Sequence, residues 1–433
     1  MLRHRLTIFP TLIIVIAVAF AGLAVAQDEW DDWDDEGAAA AVEMHGFVEG
    51  AVGGRLGNDP AMDDDFILNE ARFRLDLAHY LDRTELYFKG DFVADGFVDD
   101  TYLDIRRAAV LLRVSSSLDI LAGRHVLTWG TGDLVFLNDL FAKDFVSFFV
   151  GRDDEFLKAP SNSVKATFYT DAANIDFVWT PTFTADEFIS GERLSFYRPP
   201  LPDSLASMEM PPVVAKEPDE EWENGEFAAR LYRDVGGYEF AAYGYSGFWK
   251  QPTAMDTTAM MPTFAELTVF GASLRGNLLG GIANVEGAYY DSREDREGND
   301  PLVPNSQSRG LVGYERELLT DLTAGVQYYG EFTLDHDSLV ATLPPGSAAP
   351  NDSRHLITTR VTKRLMQQTL TLSLFGFYSP NDEDGHVRLA ATRDWSDAVS
   401  FTLGANVMWG DEDSFFGQLE DNTNVYLRVR ASF

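Results

Sequence analysis

The chain has 433 residues, no cysteine and a formal net charge of −35, which exclude a disulfide framework, thiol chemistry and a broad basic face for nucleic acid. Aromatic residues nevertheless make up 13% of it, a high share for so acidic a protein and one that fits aromatic girdles at membrane boundaries.

Residues 1–26 read as a removable targeting segment. Arg3 and Arg5 supply a basic start, Leu12 to Ala21 an apolar stretch, and Ala24-Val25-Ala26 a small-x-small cleavage site. The mature chain is expected to begin at Gln27. Residues 27–41 follow as an acidic tail, in which Gln27 to Glu36 carry seven acids and two tryptophans. Such a run reads as a solvated tail or as a periplasmic handle for a partner. No later segment offers about 18 consecutive apolar residues, so a membrane has to be crossed by strands.

From residue 42 to 433 the dominant signal is alternation with period two. Ala71, Phe73, Leu75 and Leu77 oppose Glu70, Arg72, Arg74 and Asp76. Leu86, Phe88, Gly90 and Phe92 oppose Glu85, Tyr87, Lys89 and Asp91. Comparable ladders run near residues 327, 373 and 403. A strand sends alternate side chains to opposite faces, so each ladder divides lipid from water. Strand centres fall near 48, 74, 88, 107, 122, 167, 177, 230, 242, 271, 286, 313, 327, 359, 373, 389, 403 and 428. The expected fold is all-β, a transmembrane antiparallel up-and-down barrel of about 18 strands. Sixteen is the alternative, because alternation breaks near 107, 230 and 271. Short connections such as Leu81-Asp82-Arg83 alternate with long ones such as Thr184 to Glu223. The short turns are assigned to the periplasm and the long loops to the exterior. Residues 133–160 are rich in Phe and Asp and are expected to fold into the lumen or pack on the rim.

The last strand carries Val425, Leu427, Val429, Ala431 and Phe433 on one face. This pattern resembles the C-terminal signature read by the outer-membrane barrel assembly machinery, and that resemblance implies an assembly signal at these five residues. Ala122-Gly123-Arg124-His125, Trp129-Gly130-Thr131-Gly132-Asp133 and Asn138-Asp139 are similar to the strand-and-loop signature of 18-stranded porin-like families related to the alginate-export channel. His125 stands where those families usually show Gln. The resemblance implies a monomeric channel. It transfers no substrate, since the alginate channel is expected to have a strongly basic lumen and this chain is strongly acidic.

A charge on the lipid face costs about 2–4 kcal/mol at the midplane, so charged ladder residues are expected to line the pore. The candidates are Arg72, Arg74, Glu85, Lys89, Asp91, Arg124, Arg230, Glu286, Glu331, Arg360, Arg388, Arg428 and Arg430. If the first strand pairs with the last, Arg428 and Arg430 lie one strand from Arg72 and Arg74. A basic stripe opposed by carboxylates then crosses the seam and orients a charged or dipolar permeant. The plainer reading is a set of salt bridges that stiffen the wall.

Acidic groups such as Asp63-Asp64-Asp65 and Asp411-Glu412-Asp413 match no calcium-loop pattern, and no metal site is assigned. No nucleophile motif is present. The one histidine beside acids, in Asp335-His336-Asp337, falls in a long loop, so no catalytic residue and no cofactor is assigned. Trp129, Trp179, Trp249, Trp395 and Trp409 sit near strand ends as interfacial anchors. Tyr87, Tyr329 and Tyr426 on polar faces could form a stacking track for a sugar.

The reading is an outer-membrane channel of the Gram-negative type that passes small or medium solutes by diffusion. The alternative is an export conduit or accessory barrel for a polymer or apolar molecule, working with an inner-membrane transporter. A tight apolar constriction would favour the conduit and a wide ion-conducting lumen the porin. A third class is an adhesion barrel acting through Thr184 to Glu223. The partners expected are outer-membrane lipid and lipopolysaccharide, the assembly machinery, small solutes and a periplasmic or inner-membrane transport partner.

Overall fold

The computed structural model describes residues 42–62, 64–197, 211–344 and 349–433. The expected targeting segment and acidic tail lie outside the described residues, as does Asp63. Eighteen strands form one antiparallel sheet. In chain order they are β1 (Val42–Arg55), β2 (Phe66–Tyr80), β3 (Thr84–Asp95), β4 (Asp100–Ser115), β5 (Leu118–Val126) and β6 (Pro160–Tyr169). There follow β7 (Asn174–Thr180), β8 (Glu226–Val235), β9 (Tyr238–Phe248), β12 (Glu266–Leu278), β13 (Gly281–Ser292) and β14 (Gln307–Leu319). The last six are β15 (Leu322–Thr333), β16 (Ser353–Leu365), β17 (Leu370–Ser379), β18 (Asp384–Asp394), β19 (Val399–Trp409) and β20 (Asn424–Ser432). A small hairpin of β10 (Ala254–Asp256) and β11 (Met261–Thr263) stands apart in the connection after β9.

Each barrel strand pairs with its neighbours in the chain, and β1 pairs with both β2 and β20. Ala51 thus faces Glu70 on one side and Arg428 on the other. Closure pairs the backbone groups that the edges of an open sheet would leave bare. All the expected strand centres lie within strands, so the sixteen-strand alternative falls.

The three regions of broken alternation have local causes. In β4 a bulge places Lys89 opposite Arg107 but Gly90 opposite Ile105. The extra residue, Arg106, is thereby turned inward beside Arg107. In β12 the inward Leu267 and Val269 are apolar because they pack beneath a segment inside the barrel. In β8 the outward Phe227 and Leu231 alternate with inward Ala228 and Arg230, but the outward row also includes Ala229, which blurs the pattern.

One rim carries only turns of two to four residues, such as Gly236-Gly237 with φ of 62° and 84°. Positive φ at both positions lets a two-residue turn follow the strand twist. The other rim carries the long connections, including residues 127–159, 181–225 and 410–423. Outward side chains such as Phe73, Phe92, Leu103, Phe270 and Leu403 are exposed and form the apolar belt. The core sits inside the barrel, as two clusters packed around residues 127–159.

Two of the five tryptophans expected at interfaces are found inside. Trp129 packs edge-on against Phe141, and Trp249 is buried beside Tyr290. Trp129 belongs to the segment that has left the wall for the lumen, whereas Trp249 continues the β9–β12 ladder, its amide donating to the Ala265 carbonyl at 2.9 Å, and shares the inward parity of Tyr243 and Tyr245. Tyr329 and Tyr426 are likewise buried in the inner cluster and offer no free ring face for a stacking track.

Candidate functional site

An unobstructed ring of 18 strands would be roughly 35 Å across between backbones, from ~4.8 Å strand spacing and ~40° tilt. Residues 127–159 fill much of that space. They leave β5 and return at β6, its neighbour in the wall, after crossing to the opposite side.

The first fastening is on β13. Glu286 is almost fully buried and accepts hydrogen bonds from the Thr131 amide, from Thr131 Oγ1 and the Gly132 amide at 2.7 Å each, and from Asn138 Nδ2 at 2.7 Å. Gln327 on β15 bonds the backbone of Asp133 in both directions, at 2.8 and 2.9 Å. Arg360 on β16 grips the Asp133 carboxylate. The chain then forms the short helix Phe145–Val150, with Asp144 capping it by accepting from the Ser147 amide at 2.7 Å. Gly151 ends it at φ 89°, which favours glycine. Asn406 and Asn424 donate to the Phe149 carbonyl at 3.1 and 3.0 Å.

The tip is Arg152-Asp153-Asp154-Glu155-Phe156. Arg388 on β18 holds Asp154 at 2.6 Å, Arg428 on β20 holds Asp153 at 3.1 Å, and Arg74 on β2 holds Glu155 at 2.7 Å. Arg152 pairs with Glu70 on β2. Strands β13 and β2 are nine places apart in the ring of 18, so the segment is bonded to opposite walls. The Phe156 ring lies beneath three guanidinium groups, those of Arg72 at 4.2 Å, Arg106 at 4.9 Å and Arg74 at 5.2 Å. Such stacking stabilises a desolvated cation over a ring. Burial by itself would raise the pKa of Asp153, but Arg428 and Arg430 outweigh it and hold the carboxyl below its usual range. The tip carboxylates keep a third to a half of their surface open, whereas Arg74, Arg388 and Arg428 behind them are nearly covered.

The expected site residues therefore divide. Arg74, Glu286, Arg360, Arg388 and Arg428 fasten the infolded segment. Others join strand to strand on the inner face. Arg72 meets Asp91 at 2.7 Å, Lys89 meets Asp76 at 2.7 Å, and Arg230 meets Glu239 at 2.6 Å. Glu85 meets Arg113, Glu331 meets Arg309 at 3.2 Å, and Arg430 meets Glu49 at 2.8 Å. The seam does bring Arg72, Arg74, Arg428 and Arg430 together, with Glu49, Asp91 and Asp153 among them.

Arg124 is a correction. It faces Ala108 in register and shares the outward face, and its Nε donates to the Ile105 carbonyl at 2.6 Å beside the β4 bulge. The inward, buried residue is His125, beside Ser163. Of the C-terminal residues, Val425, Leu427 and Phe433 are exposed on the outer face, Val429 is half-buried, and Ala431 is covered between Val48 and Val399.

Sequence reasoning missed Arg106, Arg152 and Arg193. Arg193 comes from the connection after β7, pairs with Asp95 and stacks on Phe97 at 4.5 Å. Two adjacent arginines in a strand were a readable sign of a bulge, and an arginine before Asp-Asp-Glu a sign of a charged tip. Among the described residues no three His, Asp or Glu side chains converge as metal ligands. His336 lies on the short helix His336–Thr342 and meets the Pro350 carbonyl at 2.7 Å.

No family model and no curated protein sequence matches the chain. Solved structures match it in shape. OccAB4 of Acinetobacter baumannii superimposes with a TM-score of 0.56 at 9% identity, over 92% of this chain and 100% of that one. The chain has a porin-like barrel fold. OccK11 (OpdR) and OccD3 (OpdP) of Pseudomonas aeruginosa both give a TM-score of 0.52. Their identities are 10% and 9%, over 90% and 92% of this barrel's chain and 96% and 92% of their own. At such identity the likeness is one of fold.

Proposed function

We propose that the barrel is an outer-membrane channel through which small or medium solutes diffuse, its width set by residues 127–159. The observation that supports this most is the tip Asp153–Glu155, fastened by arginines from β2, β18 and β20 across a closed ring with an apolar exterior. In this reading the short turns lie in the periplasm and the long connections outside. The inward charges line the route. A permeant passing the tip meets the open faces of its carboxylates, with the seam arginines paired and nearly covered behind them, so the tip presents a negative surface that orients a charge or dipole. Val425, Leu427, Val429, Ala431 and Phe433 then serve as the signal for assembly.

Planar-bilayer recording of the purified mature chain tests the proposal. Discrete conductance steps are expected. The variant Asp153→Asn, Asp154→Asn, Glu155→Gln should conduct more and shift its selectivity toward anions, since the tip is released and the arginines are uncovered. Folded barrels that pass no ions in either form would overturn the solute channel.

A second reading, the export conduit, is favoured by the apolar packing of Phe148 and Phe149 against Phe377, Phe416 and His386 within the lumen. A barrel closed to ions until residues 127–159 are deleted would support it.

A further inference from the structure

The outward face of β16 to β20 carries a trough of about 500 Å³. Two rows of register partners bound it. The first is Val361, Leu374, Leu389, Ala405 and Val425. The second, two residues nearer the short turns on β16, is Lys363, Leu372, Ala391 and Leu403. The floor is low where Ala391 and Ala405 sit diagonally between Leu389 and Leu403, both of which stand exposed. Rows of register partners run across tilted strands, so the trough climbs obliquely. It starts at Lys363, two residues from the end of β16 at the short-turn rim, and reaches Val425, one residue from the start of β20 at the opposite rim. Its length over four strand gaps is ~19 Å at ~4.8 Å each.

Charge is confined to one end. Lys363 forms part of the trough wall and uses one donor on the Thr320 carbonyl at 2.9 Å. Arg393 is also outward, partnered by Leu370 and Phe401 in the next row toward the turns, and its guanidinium reaches Thr369. Trp395 is exposed at the same rim, edge-on to Phe401. A tryptophan so placed marks the head-group level of a bilayer. Snorkelling alone would put cations at this level on a smooth wall. Here an acyl-length apolar trough opens onto the cation itself.

We propose that this trough is a binding site for one anionic phospholipid, with an acyl chain between the two rows and the phosphate at Lys363 and Arg393. The proposal rests on the outer-membrane reading only for the presence of lipid on this face. It is independent of what passes through the lumen.

The test is native mass spectrometry of the full mature chain, folded in micelles containing equal phosphatidylglycerol and phosphatidylcholine. One phosphatidylglycerol should remain on each chain. Lys363→Gln should lower its retention about fivefold, the effect of one cation at a lipid surface. Ala391→Leu with Ala405→Leu, which fills the floor, should abolish it. Heat-dependent gel mobility reports that each variant has folded, and the lipid preference of the unaltered chain decides the matter even if the filled variant does not. Equal retention of both lipids, or undiminished retention by the filled variant, would overturn the site. So would absence of bound lipid with a change of oligomeric state on filling, which would make a second copy the occupant.

Discussion

Glu286 shows how a charged wall residue acquires a structural task. Its four hydrogen bonds are all spent on the infolded segment. Two of its donors are backbone amides in a segment without regular structure, which have no other acceptor. Leaving a buried donor unpaired costs about 1–3 kcal/mol per group. Glu286→Ala should therefore free residues 128–140 without melting the barrel. Hydrogen exchange at Thr131 and Gly132 should quicken by at least about tenfold, from ~1.4 kcal/mol or more of lost protection. Exchange in β12 and β14 should hardly change, and equal loosening of the wall would contradict the role. Period two correctly assigns Glu286 to the inner face but cannot show what meets it there. Arg124 marks the opposite limit. It shares its parity in β5 with Leu118, Ile120, Ala122 and Val126, so period two alone sets it on the outer face, and its charge was the misleading sign.

At the scale of elements, the infolded segment is joined to the connection after β7. Asp186 accepts from the Lys143 amide and from Gln251 Nε2, each at 2.7 Å, and Glu187 exchanges backbone bonds with Lys143 and Phe145. Burial pushes the Asp186 carboxyl up to about 6, against the pull of Lys143. The folded form thus binds a proton more readily than the unfolded one, and stability falls as pH rises between those two pKa values. The joint should be firmest below about pH 4 and lose that contribution as pH rises to about 6. After correction for intrinsic rates, exchange at the Lys143 and Glu187 amides should be slower at about pH 5 than at about pH 7.5. Asp186→Asn should remove the difference, and an unchanged difference in that variant would refute the assignment. The aromatic and acidic composition of 133–160 signals a segment unlike a plain loop. Its path cannot be read from composition, because each fastening joins residues up to 275 positions apart.

For the whole molecule, closure depends on the pairing of β1 with β20. The last residue completes it. Phe433 exchanges backbone bonds with Gly46 at 3.0 Å, and its ring stacks outside the wall on Phe73 at 6.2 Å. Gly46 is needed there, since a Cβ would strike the ring. Phe433→Ala should cost the folded barrel only about 1 kcal/mol, the scale of one aromatic pair. Its larger expected effect is on the yield of assembled barrel in cells. Equal yield with lowered heat stability would mean that the residue acts in packing and not in assembly.

The strands, their number and most of their faces were legible in the chain alone, because an apolar exterior and a polar interior impose a two-residue rhythm along each strand of a closed barrel. That rhythm is local and survives without any knowledge of neighbours. Tertiary structure decided which inward charges remain open to solvent and which hold the segment across the lumen. It also placed Trp129 inside and raised a trough on the outer face. These features arise from registers and from contacts between strands distant in sequence, and so are absent from any local pattern.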